Sequence, residues 1–128
     1  MSWFNRNKED PDRREFREEF NEAIQALNTA DKITRMAVGH SINMANSVLF
    51  QNFGDIEGFQ NTPKPEQMAY LNKLKALEEK LLNEDPASGL GVGLFKMWLA
   101  TVMENDKELM NLFSKELADL SSEGELPF

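Results

Sequence analysis

The chain has 128 residues, a net charge of −8, one histidine and no cysteine. The lack of cysteine excludes disulfides, thiolate nucleophiles and thiolate metal sites, and a triad has only His40 available as its base. No basic stripe is visible and no apolar run is long enough to cross a bilayer, so we expect a cytoplasmic protein with no membrane insertion and no direct nucleic-acid binding.

The first apolar pattern begins after Asp10, which is placed to cap a helix that has Pro11 at its first position. Four apolar residues then recur at helical spacing: Phe16, Phe20, Ile24 and Leu27. Charged residues fill the other positions of this segment. The pattern predicts an amphipathic helix with one buried stripe.

A second helix is predicted from a cap at Asn28 or Thr29 to about Leu49. Beyond its start this segment carries no charge, which predicts a central helix that is covered on several sides. Met36, His40 and Met44 share one face of it. An imidazole between two thioethers suits a soft ion such as Cu(I), but a buried stripe of core residues explains the same spacing, and we favour the core.

Residues 50–64 are predicted to form a long connection, because Gly54, Gly58 and Pro63 break regular structure. The segment is too apolar for a free loop, with Phe50 and Phe59 near its two ends. We expect it to fold back onto one end of the bundle, and a small ligand beneath it is an alternative reading.

A third helix is predicted from Pro65 to the Asp85-Pro86 pair. The next begins near Gly89, with Ser88 as its cap, and is apolar on most faces as far as Met103. Its glycines favour close helix packing over phosphate binding, because the Lys-Ser/Thr of a phosphate loop is absent.

Two apolar helices are more than one 128-residue body is expected to cover, which predicts a homodimer or another small oligomer. The expected oligomer interface is on the helix that begins at Gly89: Leu94, Phe95, Trp98 and Val102. Helical spacing then continues to Leu120 after a capping-box pattern at 105–108. Whether residues 89–120 form one helix or two stays open.

The period is lost at Ser121, so we expect a helical domain over residues 1–120 and a flexible acidic tail over 121–128. The fold class predicted is all-α, a single bundle of four or five helices with a packed aromatic-rich loop.

The chain ends Ser-Ser-Glu-Gly-Glu-Leu-Pro-Phe, which resembles the C-terminal tip of bacterial single-stranded-DNA-binding proteins. In that family the tip docks on replication and repair enzymes, with its phenylalanine in an apolar pocket and basic residues around its carboxylate. The resemblance implies a partner-binding set of five residues here: Glu123, Glu125, Leu126, Pro127 and Phe128. It covers about eight residues, has Glu-Gly-Glu in place of the family's consecutive aspartates, and implies docking rather than DNA binding.

No catalytic motif, cofactor motif or metal-ligand set is found. The sequence therefore predicts a non-enzymatic helical interaction protein, an adaptor or regulator with an unidentified protein partner. The alternative is a small-ligand or soft-metal binding protein, with its site near Met36, His40 and Met44 or under the Phe50–Phe59 loop.

Overall fold

The computed structural model describes residues 10–124 of the chain. This part of the chain is all-α and contains six helices, one more than the largest predicted number. In chain order they are α1 (Pro11–Asn28), α2 (Lys32–Phe53), α3 (Ile56–Gln60), α4 (Lys64–Glu84), α5 (Pro86–Met103) and α6 (Lys107–Glu123). Within these residues no helix combines the length and apolarity that crossing a bilayer requires.

Aspartates begin five of the six helices. The side chains of Asp10, Asp31, Asp55, Asp85 and Asp106 each accept a hydrogen bond from a backbone N–H two or three residues later. A short carboxylate can satisfy these otherwise unpaired donors and also favours the positive end of the helix dipole. The predicted caps are therefore wrong: Asn28 or Thr29 precedes the observed Asp31 by three or two residues, Ser88 follows Asp85 by three, and Asn105 precedes Asp106 by one.

Residues 89–120 form two helices rather than one. Asn105 adopts a left-handed backbone with a φ of 58°, and Asp106 then caps α6. Asparagine tolerates this conformation better than most residues because its short amide can bond locally. This single turn reverses the chain between α5 and α6.

The cap of α2 has a pH dependence that can be measured. The Thr34 N–H donates to Asp31 at 2.7 Å, and this bond lowers the pKa of Asp31 from its ordinary 3.8. Because the pKa of Asp31 is lower in the folded state than in the unfolded state, its cap stabilises the fold fully at pH values above the unfolded-state pKa. This stabilisation is lost as the pH falls through the folded-state pKa. We expect Asp31→Ala to be less stable than the wild type in urea at about pH 7, by an amount that shrinks toward about pH 2.5. Asp31→Asn keeps a capping group, so we expect a smaller loss that depends less on pH, and equal losses for Asp31→Ala at both pH values would contradict this account.

Helix α5 lies at the centre of the bundle, between α4 on one side and α2 with α6 on the other. Its glycines make this possible, because Gly91 lies against α2 while Gly89 and Gly93 lie against α4. The Ser41 hydroxyl donates to the Ser88 carbonyl at 2.8 Å across the α2–α5 contact. Close packing therefore explains these glycines, as their lack of phosphate-loop residues indicated.

The residues predicted to form an oligomer interface are covered within the chain itself. Leu94, Phe95 and Val102 are each 1% exposed and Trp98 is 6% exposed. The argument that one body cannot cover this helix is therefore wrong, because α2, α4 and α6 enclose it. These four residues form the core, and an interface through them would require the bundle to open.

The predicted loop over residues 50–64 is largely helical. Helix α2 continues to Phe53, and α3 follows after Gly54, whose φ of 85° suits a residue without a Cβ. Phe53 and Phe59 meet edge to face at 5.1 Å between ring centroids, and Tyr70 of α4 meets Phe53 at the same distance. The segment thus packs as an aromatic cluster, and burial raises the pKa of Tyr70.

Helix α1 packs chiefly on α6 through stacked phenylalanines. The rings of Phe20 and Phe113 are nearly parallel with centroids 3.7 Å apart, and Phe16 stacks on Phe113 at 5.7 Å. At the start of α1, the Arg13 guanidinium donates to Asp106 at 2.8 Å and to Glu108 at 3.0 Å. These carboxylates hold the pKa of Arg13 above its ordinary value.

Candidate functional site

One side of α2 has no covering partner among residues 10–124. Helix α2 packs on α5 and α6 with its opposite side turned outward. Seven residues form this side, which we call the α2 outer face: Ile33, Ala37, His40, Met44, Ser47, Val48 and Gln51. All except the half-buried Ala37 are exposed.

The apolar members of the α2 outer face are exposed to an unusual degree for their residue types. Ile33 is 80% exposed, Met44 55% and Val48 42%. From Met36 to Gly54 the sequence has no aspartate, glutamate, lysine or arginine. Single exposed apolar residues are ordinary, so what distinguishes this side is that several of them share one uncharged side of a helix. The prediction that α2 is central and covered on several sides is therefore wrong.

The other exposed apolar side chains are scattered. Phe50 is 43% exposed on another side of α2, Met68, Leu77 and Leu82 lie on α4, and Leu112 lies on α6. Helices α4 and α6 alternate their apolar residues with lysine and glutamate, so charged groups interrupt any stripe there. The α2 outer face differs by its continuity rather than by the exposure of one residue.

The three candidate ligands for a soft metal ion do lie on one side of α2, but that side is exposed to solvent. His40 and Met44 are exposed, and Met36 is half-buried at the border of the α2 outer face. The prediction that His40 is buried between two methionines in the core is wrong, because the core-facing residues of this helix are Val38, Ile42 and Leu49. Among residues 10–124 no cluster of three histidine, aspartate or glutamate side chains is placed to hold a metal ion.

The end of α6 lies against α2 beside the α2 outer face. A Cβ on Gly39 would collide with the Leu120 carbonyl, and one on Gly124 would collide with the His40 backbone N. The side chain of Asn43 donates to the Ser121 carbonyl at 3.0 Å. The described chain therefore ends, at Gly124, within contact of His40.

The predicted flexible tail begins too early at Ser121, because α6 continues to Glu123. The residues of this last turn are held by polar contacts to α2. Polar contacts produce no apolar residues at helical spacing, so the sequence pattern did not reveal this turn. Glu123 accepts from Arg35 at 2.6 Å, so it belongs to the bundle and is engaged there. The other predicted docking residues, Glu125, Leu126, Pro127 and Phe128, lie outside the described residues.

A shallow groove lies between α2 and α6. It has a volume of about 180 Å³ and an aromatic floor of Phe95 and Trp98. The indole N–H of Trp98 donates to the Ser114 hydroxyl at 2.8 Å, which fixes the orientation of the ring. Asn46 and Ser121 are among its other lining residues, and the Ser121 hydroxyl already donates to the side chain of Asn43.

A second cavity, of about 290 Å³, lies where α3, α4 and the end of α5 meet. Gln67 lies at its wall and is 2% exposed, and its amide N–H donates to the Phe59 carbonyl at 2.7 Å. Its Oε1 is buried without a hydrogen-bond partner among the described residues. Lys64, on the same wall, donates to the Met103 carbonyl at 2.7 Å.

Sequence reasoning missed the α2 outer face because it took an uncharged helix to be a covered one. From Ile33 the residues of this face recur at steps of four and three, as the residues on any one side of a helix do. Three of the six at positions 33, 37, 40, 44, 47 and 51 are polar, so the spacing alone could not tell this side from a covered one.

Comparison of the chain with protein-family models, with curated proteins and with solved structures found no match.

Proposed function

We propose that the chain is a non-enzymatic interaction protein, an adaptor or regulator of the cytoplasm, that binds a helix of another protein chain along the α2 outer face. The observation that carries this proposal is the uncharged α2 outer face, on which Ile33, Met44 and Val48 are exposed. Burying apolar side chains against a second helix gains about 25 cal/mol for each Å² removed from water. The α2 outer face has no charged side chain that would lose hydration in the process.

A matched pair of substitutions tests this proposal. Met44 lies on the α2 outer face, and Met68 on α4 is exposed to a similar extent, 45% against 55%. We expect Met44→Glu to abolish capture of the specific partner from lysate of the source cells, and Met68→Glu to retain it. Circular dichroism should show both variants folded, since both side chains already face solvent. Equal capture by the two variants would contradict a docking role for this face.

The C-terminal residues Leu126, Pro127 and Phe128 are proposed as a second contact for the same partner. What supports this is the position of Gly124 against His40, which starts the tail beside the α2 outer face. We expect deletion of Leu126–Phe128 to weaken capture less than Met44→Glu does. Capture that is unchanged by the deletion would remove the tail from the proposal and leave the α2 outer face.

Small-ligand binding is a second candidate function, favoured by the unpartnered Oε1 of Gln67 beside the cavity at the end of α5. An unpaired buried oxygen costs about 1–3 kcal/mol, which a ligand carrying a hydrogen-bond donor would offset. A thermal-shift screen of small polar compounds tests this, with Gln67→Leu as the variant that should lose any hit. A hit that Gln67→Leu retains would place the ligand elsewhere.

A further inference from the structure

We infer that the cavity where α3, α4 and the end of α5 meet binds a small amino-carboxylate, with its ammonium group at the Oε1 of Gln67 and its carboxylate at the ammonium group of Lys64. The inference rests on the small-ligand function proposed for this cavity and names the class of ligand. The ligand is a zwitterion of amino-acid size, in which a hydrogen-bond donor and an acceptor carry opposite charges.

The orientation of the Gln67 amide is fixed by its surroundings. Its Nε2 donates to the Phe59 carbonyl at 2.7 Å and to the Gln60 carbonyl at 3.3 Å. The reversed orientation would place an oxygen against two other oxygens, so Oε1 is the amide atom that is left without a partner. An amide oxygen only accepts hydrogen bonds. The ligand group that meets Oε1 must therefore be a donor, which bulk water does not supply to a side chain that is 2% exposed.

Lys64 supplies the opposite requirement on the same helix. It lies three residues before Gln67, a spacing that places two side chains next to each other on a helix, and both residues line the cavity. The Lys64 ammonium donates to the Met103 carbonyl at 2.7 Å, which uses one of its three N–H groups. No carboxylate of residues 10–124 forms an ion pair with it. Lys64 therefore offers further donors and a positive charge to a ligand carboxylate.

The ends of two helices favour the same division of charge. Among the six helices described, α4 alone begins without an aspartate cap, because Pro63 is at its N-cap and has no hydrogen-bonding side chain. Its positive end is therefore open beside Lys64, and anions are favoured at such an end. Helix α5 ends at Met103 on the wall of the same cavity. The negative end of α5 favours an ammonium group there.

A zwitterion suits this cavity better than an ion of either sign. A phosphate ion would meet Lys64 but would present oxygen to the oxygen of Gln67, and an amine without a carboxylate would meet Gln67 but be repelled by Lys64. The volume of about 290 Å³ lies at the lower edge of the usual range for small-molecule pockets, about 300–1,000 Å³, which limits the ligand to amino-acid size. Val102 and Met103 supply an apolar wall for a short side chain.

Thermal shift of the full chain with the common L-amino acids as probes tests the ligand class. We expect at least one of them, at about ten times its dissociation constant, to raise Tm by about 5 °C. In calorimetry, the analogues of that amino acid that lack either the carboxylate or the amino group should each bind at least about tenfold more weakly, because each loses a charge-assisted hydrogen bond. If no amino acid raises Tm at about 10 mM, the inference is overturned.

A matched pair of lysine substitutions tests the carboxylate contact. We expect Lys64→Met to weaken binding of the amino acid at least about tenfold and to leave binding of the amine analogue no weaker than in the wild type. Lys73→Met should bind the amino acid as the wild type does, since Lys73 is also an exposed lysine of α4 but does not line the cavity. Equal affinity of the wild type and Lys64→Met for the amino acid would overturn the inference.

Methyl NMR of the wild-type chain locates the bound amino acid without any substitution. The methyl signals of Val102 and Met103, which line the cavity, should shift during the titration. The methyl signal of Met44, which lies on the α2 outer face, should not shift. Shifts confined to residues outside the cavity would overturn the inference.

The small-ligand function and this inference can fail separately. If glycerol or another neutral polyol raises Tm and Gln67→Leu abolishes the effect, while no amino acid acts, the ligand class is wrong and the small-ligand function stands. If no compound raises Tm and a crystal structure shows only an ordered water at Oε1, neither stands. An amino acid that binds Gln67→Leu and Lys64→Met as tightly as the wild type occupies another site, which also overturns both.

Discussion

Gly91→Val is expected to lower the free energy of unfolding by about 3 kcal/mol, which corresponds to a melting temperature about 10 °C lower. A Cβ at Gly91 would lie 2.7 Å from the Val38 carbonyl oxygen and 2.7 Å from the Ser41 Cβ. The first of these is backbone, so α2 and α5 would have to move apart. That movement would also strain the bond from the Ser41 hydroxyl to the Ser88 carbonyl. Thermal and urea unfolding followed by circular dichroism measure the loss.

Gly93→Ala on the same helix is the matched control. A Cβ at Gly93 would collide with the Glu78 side chain, whose flexible end can turn away. The substitution would disturb the half-buried ion pair of Glu78 and Lys96 but gain about 1 kcal/mol of helix propensity. We expect it to be close to neutral. A loss for Gly93→Ala as large as that for Gly91→Val would contradict this account, because it would show that the Glu78 side chain cannot turn away and that this contact restricts α5 as strictly as the backbone of α2 does.

Phe113→Ala is expected to cost about 3–5 kcal/mol, the usual range for removing a buried phenylalanine. Its ring is fully buried and stacks on both Phe16 and Phe20, so it forms the centre of the α1–α6 contact. Because α1 packs chiefly on α6, we expect the variant to release α1 before the rest of the bundle unfolds. Trypsin should then cleave within α1 much faster than in the wild type.

Leu112→Ala controls for this result, since Leu112 is the neighbouring residue of α6 and is 39% exposed. We expect a loss below about 1 kcal/mol and no change in tryptic cleavage of α1. If Phe113→Ala melts in a single transition with α1 still protected, α1 is held by its other contacts, among them the ion pairs of Arg13 with Asp106 and Glu108.

The helices themselves could be read from local chemistry. Apolar residues at helical spacing placed α1 correctly, and Asp10 with Pro11 marked its first turn. The break at Asp85-Pro86 was predicted for the same reason, because proline acts on neighbouring backbone groups, whereas the sequence left open whether the chain breaks near Asn105. The last turn of α6 escaped prediction because the contacts of Ser121 and Glu123 are made with a distant helix.

The candidate site could not be assigned from the sequence because burial depends on which helix meets which. Both α2 and α5 are nearly uncharged, and the sequence predicted that both are central or in an interface. The three glycines of α5 let α2 and α4 approach it from opposite sides, so Leu94, Phe95, Trp98 and Val102 became core. Within residues 10–124 no helix remained to cover the outer side of α2.

The sequence by itself determined that the described chain is helical and, to within about three residues, where five of its six helices begin. These properties follow from spacing and residue type, which act within a few residues along the chain. Only the tertiary structure decided that His40 and Met44 face outward, that the residues predicted to form an oligomer interface are buried in the core, and that the α2 outer face is exposed. Those properties follow from long-range packing. Because Gly91 of α5 has no Cβ, it can lie directly against Ser41 of α2, about fifty residues away along the chain.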